Sequence, residues 1–342
     1  MIPRLDISFS LKNQRAFCFG QAYAPAKGEY LLNHARSGIV MALRTALPEG
    51  GRVGVVTYNC HTVANAVVES GCTPIFVDVT EDLHMDVQHI ARLQLDAIVV
   101  TNLFGIHNDT AAIRAAQPNA IIIVDNAHGY ALPVDGDFTV YSINQGKFPA
   151  LGEGGLLVVN NEQYGPLIQQ QYDQLPDYNC GKQVKLFITM LAKAWMHIPW
   201  IYGLITRRIK THRAKIACRE TVVSRRMAKG VSRMYQQALP TIDSQITQQK
   251  AHAQHIVDIL MSKGLADRVW YGDNAFMAIA HTTDIAALQQ YCLAHGVETA
   301  THFARAIDWA KQFGYLEGTC PMAERLTKEL VMVPTYVPLA QV

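Results

Sequence analysis

The sequence predicts an α/β protein built on a mostly parallel sheet, and three observations carry that prediction. Strand-like and helix-like stretches alternate from about residue 30 to 160. The strand-like stretches are short apolar runs rich in β-branched residues, such as RVGVV and IIIV, as expected of strands buried on both faces. Polar clusters follow four of the runs. Strict rotation of strand and helix means βαβ units, with helices on both faces of the sheet.

In chain order, HARSGIVMALRTAL reads as a helix, with Ile39, Leu43 and Leu47 at four-residue spacing. RVGVVTY is a strand, NCHTVANAVVESG a helix closed by glycine, and TPIFVDV a strand. MDVQHIARL is helical, DAIVVTNLFG a strand, TAAIRAAQ a helix and AIIIVDNAHG a strand. FTVYSI and GLLVVN are strands flanking the loop-like segment that holds Lys147. From about 165 to 240 the alternation gives way to helix. QKAHAQHIVDILMSKG is a further helix, RVWYGDNAFMAIAH suggests strands, IAALQQYCLAHG a helix and TATHFA a short strand. This divides the chain into a large domain over 1–240, with an apolar and basic helical region at about 182–233, and a smaller C-terminal α+β domain over 245–342.

Composition narrows the classes. A chain of 342 residues, 49% hydrophobic and of mean hydropathy +0.05, has material for a sizeable core and too little for a polytopic membrane protein. Net charge is +2, and no motif or aromatic interleaving suggests nucleic acid. Seven cysteines, an odd number, are scattered without a CxxC. That fits free thiols in a reducing compartment, with neither a disulfide scaffold nor a metal site. The opening MIPRLDISFSLKNQ lacks the apolar core of a secretory signal, so a cytoplasmic location is expected.

Ligands of open α/β sheets sit beyond the carboxyl ends of the strands. VTYNC, VTNLFG, VDNAHG and YSINQGK all fall there. Asp125 follows four aliphatic residues, and a half-buried carboxylate needs a cationic partner. His128 lies three residues on. Ser142 ends a later strand, and Lys147 follows five residues beyond. Ser37 and Gly38 stand at an expected helix start, where free N–H groups would bind a phosphate. Pyridoxal 5′-phosphate (PLP) would use all of these. It needs a lysine for its aldehyde carbon, an acid to keep its ring nitrogen protonated, and a cup for its phosphate.

These residues carry a resemblance to the DegT/StrS family of PLP-dependent sugar aminotransferases, which have PLP fold type I, the aspartate aminotransferase-like fold. RSGIVMAL resembles the family's SGTxAL, ANAVVESGCTPIFVDV its ANAVxxxGAxPVFVDV, and VDNAHG its EDAAQ or EDxxH. YSINQGKFPALGEGG resembles SFxxxKxxxxGEGG, and the late segment around GTCPMAERL contains the family's CPxAE. The resemblance implies that Lys147 binds the cofactor and moves the proton, and that Asp125 pairs with its ring nitrogen. His128 lies near the phenolic oxygen. Ser142 binds phosphate together with the backbone of Ser37, Gly38 and Ile39. The ring-face residue is one of Tyr58, Cys60 and His61. Asn179, in DYNCGK, is the nearest counterpart of a GYNxR-like segment that reaches the partner subunit's cofactor. Glu153 and His302 are candidate substrate contacts.

The resemblance also implies a homodimer that transfers an amino group from glutamate to a nucleotide-linked keto-deoxysugar, in polysaccharide or glycoside biosynthesis. Family dehydratases use histidine where Lys147 stands. A non-catalytic member that binds PLP or a sugar nucleotide is the alternative. One region departs from the family pattern. LFITMLAKAWMHIPWIYGLI at 186–205 is mostly apolar, and the stretch from Thr206 to Arg233 holds ten Lys or Arg against one acid, Glu220. Residues 186–233 read either as an apolar helix in the dimer interface beside a solvated basic neighbour, or as a peripheral contact with anionic membrane.

Overall fold

The computed structural model describes residues 9–208 and 219–339, with side chains as far as 203 and again from 219. Its centre is a seven-stranded sheet in the order β1-β7-β6-β5-β4-β2-β3. The strands are β1 (Glu29–Leu32), β2 (Arg52–Val56), β3 (Thr73–Val77), β4 (Ala97–Thr101), β5 (Ile121–Asn126), β6 (Phe138–Ser142) and β7 (Gly155–Val159). Strands β2 to β6 pair in parallel, while β7 runs antiparallel to β6 and to β1.

The helices in and after this sheet are α1 (Leu11–Phe19), α2 (Ala35–Ala46), α3 (His61–Glu69), α4 (Val87–Ile90), α5 (Thr110–Ala116), α6 (Gly165–Asp173), α7 (Cys180–Met196), α8 (Pro199–Arg208) and α9 (Lys229–Ala238). Side-chain caps define several starts. Asp86 accepts from the amides of Gln88 and His89, and Asp109 accepts from that of Ala112. The rotation of strand and helix read from the sequence holds from α2 to β5, but no helix separates β5, β6 and β7, and β1 precedes the first expected element. The aliphatic runs are continuous because both faces are covered. Along β4, Ala97 and Val99 join one core with α2 and α3, while Ile98 and Val100 join the other.

The second sheet is antiparallel, in the order β10-β9-β8: β8 (Arg268–Tyr271), β9 (Met277–His281) and β10 (Leu330–Pro334). It is accompanied by α10 (Ile242–Ser262), α11 (Ile285–Ala294), α12 (Ala306–Lys311) and α13 (Pro321–Leu326). Ile279 and Met332 of this sheet share a core with Ile98 and Ile122 of the large one.

Two expectations need correction. TATHFA forms no strand. Ala300 alone bridges to Met332, and the chain then turns so that His302 and Phe303 face the large sheet. The third strand is LVMVP, whose terminal proline disguised it. Residues 182–233 are not helical throughout either. From Arg219 to Ala228 the chain is extended, with Arg226 bridging Leu32 and the Asn33 side chain holding Val223 and Arg225. Part of that expectation, 209–218, lies outside the described residues. Among the described residues no helix is long and apolar enough to cross a membrane.

Candidate active site

The loop between β6 and β7 carries Lys147 and is tied at its base. Ser142 pairs with Gly155, the Leu151 amide donates to Ile143 O (2.9 Å), and the Gly154 amide donates to Asn144 Oδ1 (2.9 Å). Gly155 also brings β7 against the first turn of α2. A Cβ there would lie 2.3 Å from the Ala35 nitrogen, so only glycine permits the approach. His34 is extended and α2 begins at Ala35, whose amide and that of Arg36 have no acceptor within the helix.

Loop and helix close on a cavity of about 350 Å³ at the carboxyl ends of the parallel strands. Ala35, Arg36 and Ile39 line it from α2, and Asn59, Cys60 and Thr62 from the segment after β2. Thr101, Asp125, Ala127 and His128 form its floor. Ser142, Asn144, Gln145 and Lys147 form one wall, and His302, Phe303 and Trp309 reach in from the region of the second sheet.

Burial sets the electrostatics. It pushes the Asp125 carboxyl up, opposed by the Ala127 amide (3.0 Å) and by Lys147. It pulls the Lys147 amine down, opposed by Cys60 and Asp125. Neither Lys147 nor Asp125 enters an ion pair among the described residues. An amine and a carboxylate buried in one cavity without their own ion pair are costly unless a ligand engages both. Burial, then Lys147 and His302, hold His128 well below its usual value. Its Nδ1 accepts from the Phe104 amide (3.2 Å), so the neutral ring carries its proton on Nε2. The ring is stacked between Phe104 and Phe276, with centroids at 5.2 and 4.9 Å. Burial would raise the Cys60 thiol, yet hydrogen bonds from His61 and Thr62 outweigh it and bring it down to about 7.

The structure brings Ile39, Cys60, Asp125, His128, Ser142, Lys147 and His302 to this cavity. It does not bring the other expected residues. Ser37 donates its hydroxyl to Asn33 (3.0 Å) and its amide to His34 O (3.1 Å), because α2 starts two residues earlier than expected. Gly38 faces β6, where a Cβ would meet Val140 at 2.9 Å. Tyr58 is buried edge-on against Phe303, and His61 packs on Trp309 outside the cavity. Asn179 is exposed and caps α7 through the Lys182 amide (2.9 Å). Glu153 accepts from the Tyr178 hydroxyl.

Sequence reasoning missed Arg36, Asn59, Asn144, Gln145 and Trp309. Asn59 and Asn144 carried a signal, since each lies within three residues of a strand's carboxyl end. Asn59 donates to Thr101 Oγ1 (3.0 Å) and accepts from the Cys60 amide (2.7 Å). Trp309 gave no signal; its buried Nε1 has no partner among the described residues, and its ring lines the cavity. Among the described residues no cluster of His, Cys, Asp or Glu would hold a metal ion.

Comparison with known proteins places the chain in a family. The model of the DegT/DnrJ/EryC1/StrS aminotransferase family matches residues 22–341. The dTDP-4-amino-4,6-dideoxy-D-glucose transaminase of Shigella dysenteriae is 27% identical over 188 residues, covering 51% of this chain and 50% of that protein. The spore coat polysaccharide biosynthesis protein SpsC of Bacillus subtilis is 26% identical over 162 residues, covering 43% of this chain and 42% of that protein. The chain thus spans about half the length of these two curated relatives. In fold it is similar to the sugar aminotransferase CalS13 of Micromonospora echinospora, with a TM-score of 0.70 at 16% identity over 98% of this chain and 95% of that one. The chain belongs to the DegT/DnrJ/EryC1/StrS aminotransferase family.

Proposed function

We propose that the protein is a PLP-dependent aminotransferase. It moves an amino group from glutamate to a keto-deoxysugar on a nucleotide carrier, and it works as a homodimer. One observation carries the reading: a buried lysine amine and a buried carboxylate face one cavity at the carboxyl edge of a parallel sheet. The family supports the transamination, and the name of the Shigella dysenteriae relative supports a nucleotide-linked sugar.

The residues present fit the cofactor. Asp125 holds a proton at the ring nitrogen, and the cation so formed offsets its own burial. The amides of Ala35 and Arg36, the Arg36 guanidinium and the Ser142 hydroxyl would hold the phosphate at the start of α2. The Cys60 side chain would lie against the ring face. His128, protonated on Nε2, would donate toward the phenolic oxygen. PLP, when bound, supplies the electron sink for the carbon that carries the amine. Lys147 would hold the cofactor's aldehyde carbon at rest and, once the donor's amine had displaced it, would be free to move a proton, a role that its burial suits by lowering its proton affinity. The phenyl rings around His128 exclude water from that transfer.

An absorbance spectrum of the purified protein tests the reading, taken before and after glutamate, for wild type and Lys147→Ala. A cofactor band near ~420 nm that glutamate moves to ~330 nm is expected of the wild type, with the ~420 nm band lost in the variant. Absence of a protein-bound band after PLP is added and the excess removed would sink the proposal. Sedimentation velocity checks the dimer, and a monomer at working concentration removes that part.

A further inference from the structure

We propose that the exposed face of α7 and α8 is a docking surface for an anionic lipid bilayer. The inner face of α7 is already used. Phe187 packs on Phe9 and Phe17 (5.4 and 5.3 Å), and Met190 lies against Gly152 in the Lys147 loop. Outside that face, Val184, Ile188 and Trp195, spaced by four and seven residues, form a second apolar stripe on the same helix. They are 57, 58 and 66% exposed, and Trp200 on α8 is 68% exposed. A contiguous apolar patch with two outward tryptophans marks an interaction surface.

Charge decides what covers it. Lys182 and Lys185 are exposed on α7, and from Tyr178 to Gly203 the sequence holds no Asp or Glu. Where a two-fold axis crosses this face, a second copy would set lysine against lysine. An anionic surface complements both the charge and the apolar stripe. Tryptophan and lysine on one helix are what the headgroup layer accepts, the indole at the boundary and the lysine stem reaching back to water. The pair lies on the bilayer rather than through it, because α7 has 17 residues and Lys193, His197 and Pro199 interrupt the apolar run.

The surface also touches the cavity. His197, between the two helices, donates Nδ1–H to Lys193 O (2.8 Å), leaving Nε2 to accept from Gln145 (3.3 Å). Gln145 lines the cavity two residues before Lys147. The docking face and the reacting lysine are thus joined through one side-chain hydrogen bond and a short stretch of loop.

Co-sedimentation of the full-length protein with vesicles tests this. Wild type should pellet with phosphatidylcholine vesicles containing phosphatidylglycerol and stay in solution with phosphatidylcholine alone. Trp195→Ser/Trp200→Ser and, separately, Lys182→Gln/Lys185→Gln should each weaken partitioning about tenfold or more. Both variants change exposed side chains, and matched far-UV dichroism confirms that each is folded. Failure to pellet with anionic vesicles overturns the proposal, as does pelleting that neither variant alters. If the tryptophan variant instead converts a lipid-free dimer to monomer, the face belongs to a second copy and the proposal is wrong.

Discussion

Replacing Asn274 with alanine should loosen the active cavity from a residue that does not line it. Asn274 is 2% exposed and sits where the loop between β8 and β9 meets the turn after β4. Its amide donates to the carbonyls of His128 (2.9 Å) and Tyr130 (3.2 Å), and its oxygen accepts from the Phe276 amide (3.1 Å). Gly105 makes room for it. That residue has φ +82°, and a Cβ there would fall 2.0 Å from the asparagine oxygen. Asn274→Ala leaves two carbonyls and one amide unpaired in a buried place. At about 1–1.5 kcal/mol for each group, the loss is about 3–4 kcal/mol. An unfolding entropy of about 2.1 cal/mol/K per residue, taken over the whole chain as one cooperative unit, turns this into a fall in Tm of about 5 °C. Calorimetry of the apoprotein reads that number. PLP titration of the same variant should show weaker binding, because the freed carbonyl belongs to His128. A fall below about 1 °C would refute the reasoning, since the carbonyls would then be satisfied without Asn274. Asn274→Asp keeps the acceptor for Phe276 but turns a carboxylate toward two carbonyls. It should cost more at neutral pH, and less in acid where the carboxyl is protonated.

Three further expectations follow from single contacts. Gly155→Ala pushes a methyl into the start of α2 and should weaken PLP binding at least about tenfold while the secondary structure persists; a titration with unchanged affinity would remove the phosphate site from α2. Alkylation of Cys60, followed by peptide mass to separate it from exposed Cys18 and Cys180, should rise through pH of about 7 rather than near the ordinary 9, and bound PLP should slow it. The Asp137 carboxyl is raised by burial but lowered further by the Ile122 amide, Arg114 and Asn161, so it ends below its usual 3.8. A group depressed in this way stabilises the fold above the unfolded value and ceases to do so as pH falls through the lower folded one. Asp137→Ala should therefore cost about 2–3 kcal/mol at pH 7 and progressively less as pH falls below the ordinary carboxylate range, and a loss that does not change with pH would contradict it.

The parts of the molecule that were legible from sequence are those set by local pattern. The parallel strands announce themselves because burial on both faces makes them continuously aliphatic, and the polar residues that end β5 and β6 mark the cavity. Ser37 and Gly38 were misread by half a turn. The sequence shows where a helix is apolar, while its first residue is decided by the extended His34 and by β7 pressing on Ala35. Tyr58 had the chemistry of a ring-face residue, but its backbone direction sends it into the core, and the neighbouring Cys60 faces the cavity instead. Trp309 and Phe303 reach the site only because the second sheet docks there, and no spacing along the chain encodes that contact. TATHFA has strand-like residues, yet His302 and Phe303 gain more by packing on Phe104 and His128 than by extending the small sheet.

The antiparallel position of β7 sets an order of assembly. Ser142 and Gly155 are about 13 positions apart, so closing the lysine loop is a local event. Gly155 also pairs with Leu32, about 120 positions earlier, and that pairing brings α2 to the site. The longer closure costs about 2 kcal/mol more in chain entropy, so the lysine wall can form before the wall that would take the phosphate arrives. During synthesis the sequence runs the other way. The segment that becomes α2 leaves the ribosome first and lacks the strand that presses on its first turn until β7 follows, so the pocket is completed by the meeting of its earliest and later made parts.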